Sequence, residues 1–136
     1  TPADGFVGVL GAVVIGVLVA VACFFMVSVV KHKFGYDDSL DAFGVHGIGG
    51  IIGALATGLL ATPAIQSSYS GLFYGNPKQL WIQLIATVTT IVFSGVMTFV
   101  LFKIVDKFFG IRANQKEEIA GLDISQHNEM AYSESE

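Results

Sequence analysis

One histidine, His46, stands inside an apolar run long enough to cross a bilayer, in Phe43-Gly44-Val45-His46-Gly47. An ionisable side chain in such a run marks a functional-site candidate, because burying it in hydrocarbon without a purpose is costly. Gly49, Gly50 and Gly53 follow at i+3, i+4 and i+7, so on a helix the imidazole shares its face with the least bulky residues of the segment. A neutral imidazole offers one donor and one acceptor, enough to guide a small polar solute or relay a proton without a fixed charge. A histidine hydrogen-bonded to a neighbouring helix for packing fits the same pattern, and composition does not separate the two readings.

The other chemistry-bearing residues are weaker. Asp37, Asp38 and Asp41 precede the His46 run, where carboxylates cap a helix N-terminus. Asp41, nearest the run, is also placed to shape the mouth of a pore. His32 sits in a basic Lys31-His32-Lys33 stretch suited to solvent or headgroups. His127 and Glu129 form an isolated pair with no further ligand spacing for zinc. Cys23, the single cysteine, reads as small apolar filler. No nucleophile elbow, P-loop or HExxH occurs. The glycine spacing that starts at Gly47 fails the dinucleotide fingerprint at Ile52. No enzyme, cofactor or metal is expected.

The elements that must position His46 follow from charge. Of 136 residues, 53% are hydrophobic and 13% charged, and between Ala42 and Phe102 the only charged side chain is Lys78. A soluble domain carries charge on about a quarter of its positions. These counts exclude a soluble globular protein, a disordered chain and a nucleic-acid binder of the basic-patch kind. An all-α, polytopic membrane helix bundle remains, with lipid as its solvent. Three segments reach the roughly 20 residues a crossing needs, over about 5–30, 42–61 and 80–110. Backbone amides in lipid must be satisfied internally, so the Val- and Ile-rich spans are predicted to be helices.

Residues 1–112 form this membrane segment, with net charge +1, and residues 113–136 an acidic tail with net charge −5. Lys31, Lys33, Lys103, Lys107 and Arg112 follow the first and third spans, against Lys78 alone between the second and third. The positive-inside rule puts the 31–41 loop and the tail in the cytoplasm. In the first span Gly8, Ala12, Gly16 and Ala20 recur every fourth residue. Gly49, Gly50 and Gly53 crowd the second. Such small-residue stripes let helix backbones approach closely. The chain starts at Thr1 without a basic n-region, which is not a signal-peptide pattern and suggests a processed or truncated chain.

Three separated motifs resemble one family. Asp41-Ala42-Phe43-Gly44-Val45-His46-Gly47 resembles the D-x-F-G-V-H-G segment of the Amt/MEP/Rh ammonium transporters. Thr1-Pro2-Ala3-Asp4-Gly5-Phe6-Val7 resembles the T-P-A-x-G-[YF]-V start of their ninth transmembrane helix. Gly110-Ile111-Arg112, Glu118-Ile119-Ala120-Gly121-Leu122-Asp123 and His127-Asn128-Glu129-Met130-Ala131-Tyr132 resemble their G-[LI]-R … E-x-x-G-L-D … H-G-E-x-A-Y ending, with Asn128 in place of a glycine. The match is closer to the bacterial or archaeal Amt branch than to Rh proteins.

The resemblance implies transmembrane helices nine to eleven and a cytoplasmic tail, from a homotrimer of eleven-helix subunits in the plasma (inner) membrane. His46 then matches the second of two pore histidines, and Asp41 the aspartate at the cytoplasmic exit, where a PII signalling protein's loop plugs the channel. Arg112, Gly121, Leu122, Asp123 and Tyr132 match the region that packs on a neighbouring subunit and takes part in PII regulation. The first pore histidine, the phenylalanine gate and the external ammonium site belong to earlier helices of the family. The complete protein is expected to recruit ammonium, deprotonate it and pass ammonia through an apolar path, with the proton moving along the histidine pair. An ammonium sensor signalling through the same tail is the alternative, and a standalone three-helix membrane protein the plainest one.

Overall fold

The computed structural model describes residues 1–130, all helix, turn or irregular chain with no strand among them. Three helices are long and apolar enough to cross a membrane: α1 (Val9–Phe34), α2 (Phe43–Leu60) and α3 (Pro77–Phe109). Two short ones follow, α4 (Gln115–Ala120) and α5 (Leu122–His127). The chain divides into two compact units, Thr1–Ile91 and Val92–Glu136, with the division falling within α3.

In the first unit, α1 begins at Val9 and not at Gly5. The residues ahead of it fold into two turns, Asp4 N–H to the Thr1 carbonyl and Phe6 N–H to the Ala3 carbonyl, with Gly5 at φ +76°. At its other end α1 runs past Val30 to Phe34, because Lys31 and Lys33 are good helix formers that keep their ammonium groups in water while their stems stay on the helix. Gly35 stops it at φ +60°, donating its N–H to the Lys31 carbonyl at 2.8 Å. This left-handed terminal glycine is the usual way to close orphan carbonyls.

Antiparallel packing of α1 on α2 depends on glycines. A Cβ on Gly44 would lie 2.9 Å from Val27 Cγ2, and one on Gly49 3.3 Å from Val19 Cγ1 and 3.5 Å from Cys23 Sγ. Near the other end of the pair, Gly11 faces Leu60. Ala3, Ile15 and Ala56 are buried together, with Val7, Val19 and Leu60 against them. The turns of residues 1–6 dock on the far end of α2: Pro2 covers Gly53, and the Phe6 carbonyl accepts the Thr62 N–H at 2.8 Å. Phe6 also meets the Tyr69 ring edge-on at 5.7 Å.

The 62–76 connection is irregular apart from one 3₁₀ turn, Leu72–Tyr74. Gly71 is its tightest point, since a Cβ there would fall 2.6 Å from the Leu59 carbonyl oxygen. Pro77 opens α3 three residues ahead of the expected Leu80, in the first-turn position where its missing N–H costs nothing. Gly58 lets α3 cross α2, with the Leu80 Cα 2.9 Å from where its Cβ would stand.

In the second unit, α3 ends at Phe109 and Gly110 takes φ +70°. Asn114 caps α4 with a capping box: its side chain accepts from the Lys116 and Glu117 N–H groups, and the Glu117 carboxylate accepts the Asn114 N–H at 2.9 Å. Helix α5 ends on Asn128 at φ +53°, with Glu129 N–H bonded back to the Asp123 carbonyl at 2.9 Å. Asparagine is the residue after glycine best suited to that conformation, which explains how it stands where the resembling family has glycine.

Three outcomes follow from these contacts. Gly58→Ala must push α3 off α2 and is expected to cost about 1–3 kcal/mol. Gly50→Ala, with nothing within 4 Å of its Cβ, leaves thermal melting of the purified protein unchanged. Asn128→Val places a β-branched residue at positive φ, and amide exchange at residue 129 should then accelerate about tenfold, for a strain of 1–2 kcal/mol.

Candidate functional site

A groove of about 900 Å³ runs along one side of the α1–α2 pair, between the residue 1–7 segment and the small-residue faces of both helices. Gly16 of α1 and Gly50 of α2 have no atom within 4 Å of a built Cβ, so they form its floor. Gly53, under Pro2, bounds it at the end nearest the 1–6 turns. Toward the α1–α2 loop, the imidazole of His46 contributes to the lining and is exposed in the chain taken alone. The other polar lining comes from Thr1 and Asp4. The groove is thus an apolar, glycine-floored trough with one titratable ring at its α1–α2-loop end.

His46 is held by an unusual turn. Residues Phe43–Gly47 form a π-helical turn, in which the Ile48 N–H donates to the Phe43 carbonyl five residues back. A matching wide turn, Met26–Val30, lies on α1 with Lys31 N–H bonded to the Met26 carbonyl. Wide turns of this kind are rare and cluster at functional sites. Cys23 is more than filler: its thiol donates to the carbonyl of Val45 at 3.6 Å, inside the wide turn and one residue from His46.

The acidic cluster separates into distinct roles. The Asp38 carboxylate accepts the N–H groups of Ala42, Phe43 and Gly44 at 2.9, 3.0 and 3.4 Å, capping the positive end of α2. Asp41, adjacent to the helix, is paired instead with Lys31 at 2.6 Å. Ser39 donates to Asp37 at 3.5 Å. Proximity in sequence favours Asp41 for the mouth position; its partnership with Lys31, ten residues ahead of it, depends on the path of the loop and has no sequence signal. His32 Nδ1 lies 3.2 Å from the Val27 carbonyl. Among the described residues no cluster of three or more His, Cys, Asp or Glu side chains could hold a metal.

Gly8 has open space around it, while Gly49 and Gly53 are pressed against neighbours. In the second unit, Arg112 reaches Glu118 at 3.5 Å in an exposed pair of the kind worth little on its own. Gly121, at φ +92°, links α4 to α5, and Leu122 and Asp123 open α5. Tyr132 lies outside the described residues.

Residues 1–132 match the Ammonium Transporter Family. The chain is 48% identical to an ammonium transporter of Bacillus subtilis over 99% of its own length and 34% of that protein's. It is 46% identical to an ammonium transporter of Aquifex aeolicus, over 97% of this chain and 31% of the relative. It is likewise 46% identical to ammonium transporter Amt1 of Archaeoglobus fulgidus, over 97% and 33%. The chain spans about a third of the length of these curated relatives. With its three membrane-length helices, it belongs to the ammonium transporter family.

Proposed function

We propose that this chain is the C-terminal part of a transporter that moves ammonium across the plasma membrane as ammonia, through an apolar path lined by His46. The observation that carries the reading is the position of His46 on a glycine-floored groove that is open along one side. A trough open along one side needs further helices to become a conduit, and the relatives are about three times as long. The complete subunit would then close the path, and three subunits would assemble with one path each.

A neutral imidazole suits such a path. It can accept a hydrogen bond from ammonia at one nitrogen and donate at the other, and it presents no fixed charge to trap the cation. A proton taken from ammonium would pass between this ring and a second one supplied by an earlier helix. Asp41 would stand at the cytoplasmic mouth, and the tail, through Arg112, Gly121, Leu122, Asp123 and Tyr132, would contact a neighbouring subunit and a PII signalling protein. The excess of basic residues beside the α1–α2 loop and the tail supports a cytoplasmic placement of both. An ammonium sensor with the same tail is the weaker reading, because the similar proteins bear the name transporter.

In the full-length protein reconstituted in liposomes, His46→Ala is expected to change ammonium flux about tenfold, a barrier change of about 1.4 kcal/mol. Gly50→Val, which fills the groove floor, should lower flux while leaving thermal melting intact. Unchanged flux in both variants, with loss of ammonium-dependent signalling, would establish the sensor instead. A cysteine placed at Ser125 should react with an impermeant thiol reagent only from the cytoplasmic face.

A further inference from the structure

The start of α2 is held from α1. Lys31 follows directly on the wide turn of α1, and its Nζ donates to two acceptors in the loop ahead of α2. These are the Asp38 carbonyl and Asp41 Oδ1, both at 2.6 Å. The Asp38 carbonyl also accepts the Asp41 N–H at 3.0 Å, so residues 38–41 form a closed turn gripped at both ends by one ammonium group. From the same turn, the Asp38 carboxylate caps the first N–H groups of α2. The Asp41 carbonyl accepts the N–H of Val45, next to His46, at 2.9 Å.

Asp41 bears strain in this arrangement. Its φ of +54° lies in the left-handed region, which residues with a Cβ rarely adopt. Such a conformation persists where surrounding contacts over-determine it. Here those contacts are the short, charge-assisted bond to Lys31 and the capped helix that follows.

The consequence reaches His46 through helix phase. A helix residue turns about 100° from the last, so a turn with one residue more than the α-helical count redirects the side chains before it relative to those after it. His46 lies inside that turn, whereas Gly49, Gly50 and Gly53 lie beyond it. The direction of the imidazole relative to the glycine floor therefore depends on whether the wide turn is kept. Two α1 side chains make polar contacts here, Lys31 with the 38–41 turn just ahead and Cys23 with the Val45 carbonyl, while Val27 packs against Gly44 inside the wide turn.

We infer that Lys31 is a positioning residue for His46: by gripping Asp38 and Asp41 it fixes the wide first turn of α2 and so aims the imidazole into the groove. This rests on the reading that His46 lines the transport path. It assigns to a cation on α1 a role in transport that does not require contact with the solute.

The test uses the full-length protein in liposomes, with ammonium flux and solid-state NMR of ¹⁵N-labelled histidine. The His46 signal is identified by its loss in His46→Gln. Lys31→Met is expected to lower flux several-fold and to shift or double the His46 signal. Asp41→Asn should do the same, and the double variant should be no worse than either alone, since both remove one link. Lys31→Arg, which keeps the charge and the donors, should restore flux and the single signal. If Lys31→Met does not elute as folded protein, Asp41→Asn against Lys31→Arg carries the comparison. An unmoved His46 signal in Lys31→Met and Asp41→Asn, while His46→Gln still alters flux, overturns the positioning role and leaves the pathway reading intact. Unaltered flux in His46→Gln overturns the pathway reading and this inference with it.

Discussion

A backbone N–H or C=O in hydrocarbon has no water to turn to, and the rest of this structure follows from that constraint. It makes the three apolar segments helices despite their richness in Val and Ile. It also singles out the few places where helical bonding is interrupted, because each needs a substitute. At the start of α2 the substitute is the Asp38 carboxylate, which takes three N–H groups. Within the first turn of α2 the thiol of Cys23 donates to the Val45 carbonyl. At the end of α1 the N–H of Gly35 closes the last turn. Each of these three groups stands where regular helical bonding is interrupted.

Close approach is the second condition, and glycine meets it in two opposite ways. At Gly44, Gly53 and Gly58 the missing Cβ makes room for protein: Val27, Pro2 and the Leu80 backbone occupy the space. At Gly16 and Gly50 the same absence leaves a trough open. One residue type thus packs one side of α2 and hollows the other, and His46 belongs to the hollowed side. The glycines of α1 divide in the same way, with Gly11, off the four-residue stripe, against Leu60 and Gly16 of the stripe facing the groove.

Much of this was legible in the sequence. Charge-free runs located the three spans, because burial in lipid excludes charge whatever the tertiary details. The helix limits were less legible. The charge-free run ends at Val30, before Lys31, yet α1 continues to Phe34, because a lysine at a membrane edge prolongs a helix readily. The wide turns at Met26–Val30 and Phe43–Gly47 carry no residue signature, since apolar runs there read the same for a regular α-helix. The Lys31–Asp41 pair was hidden for a related reason: which of three aspartates caps and which binds the lysine depends on the turn at residues 38–41. In the tail, α4 and α5 are too short for apolar periodicity, although Asn114 three residues before Glu117 spells the capping box that starts α4.

The direction of one side chain joins these threads, because the proposed path requires His46 to face an apolar passage and not lipid or a packed neighbour. A cryo-EM map of the full-length protein in a lipid nanodisc measures that directly. The expected map shows the imidazole on the wall of a continuous passage floored by Gly16 and Gly50, with the first turn of α2 still wide and Lys31 against Asp41. A His46 ring turned into lipid, or sealed against another helix with no passage beside it, would contradict the transport role assigned to this residue.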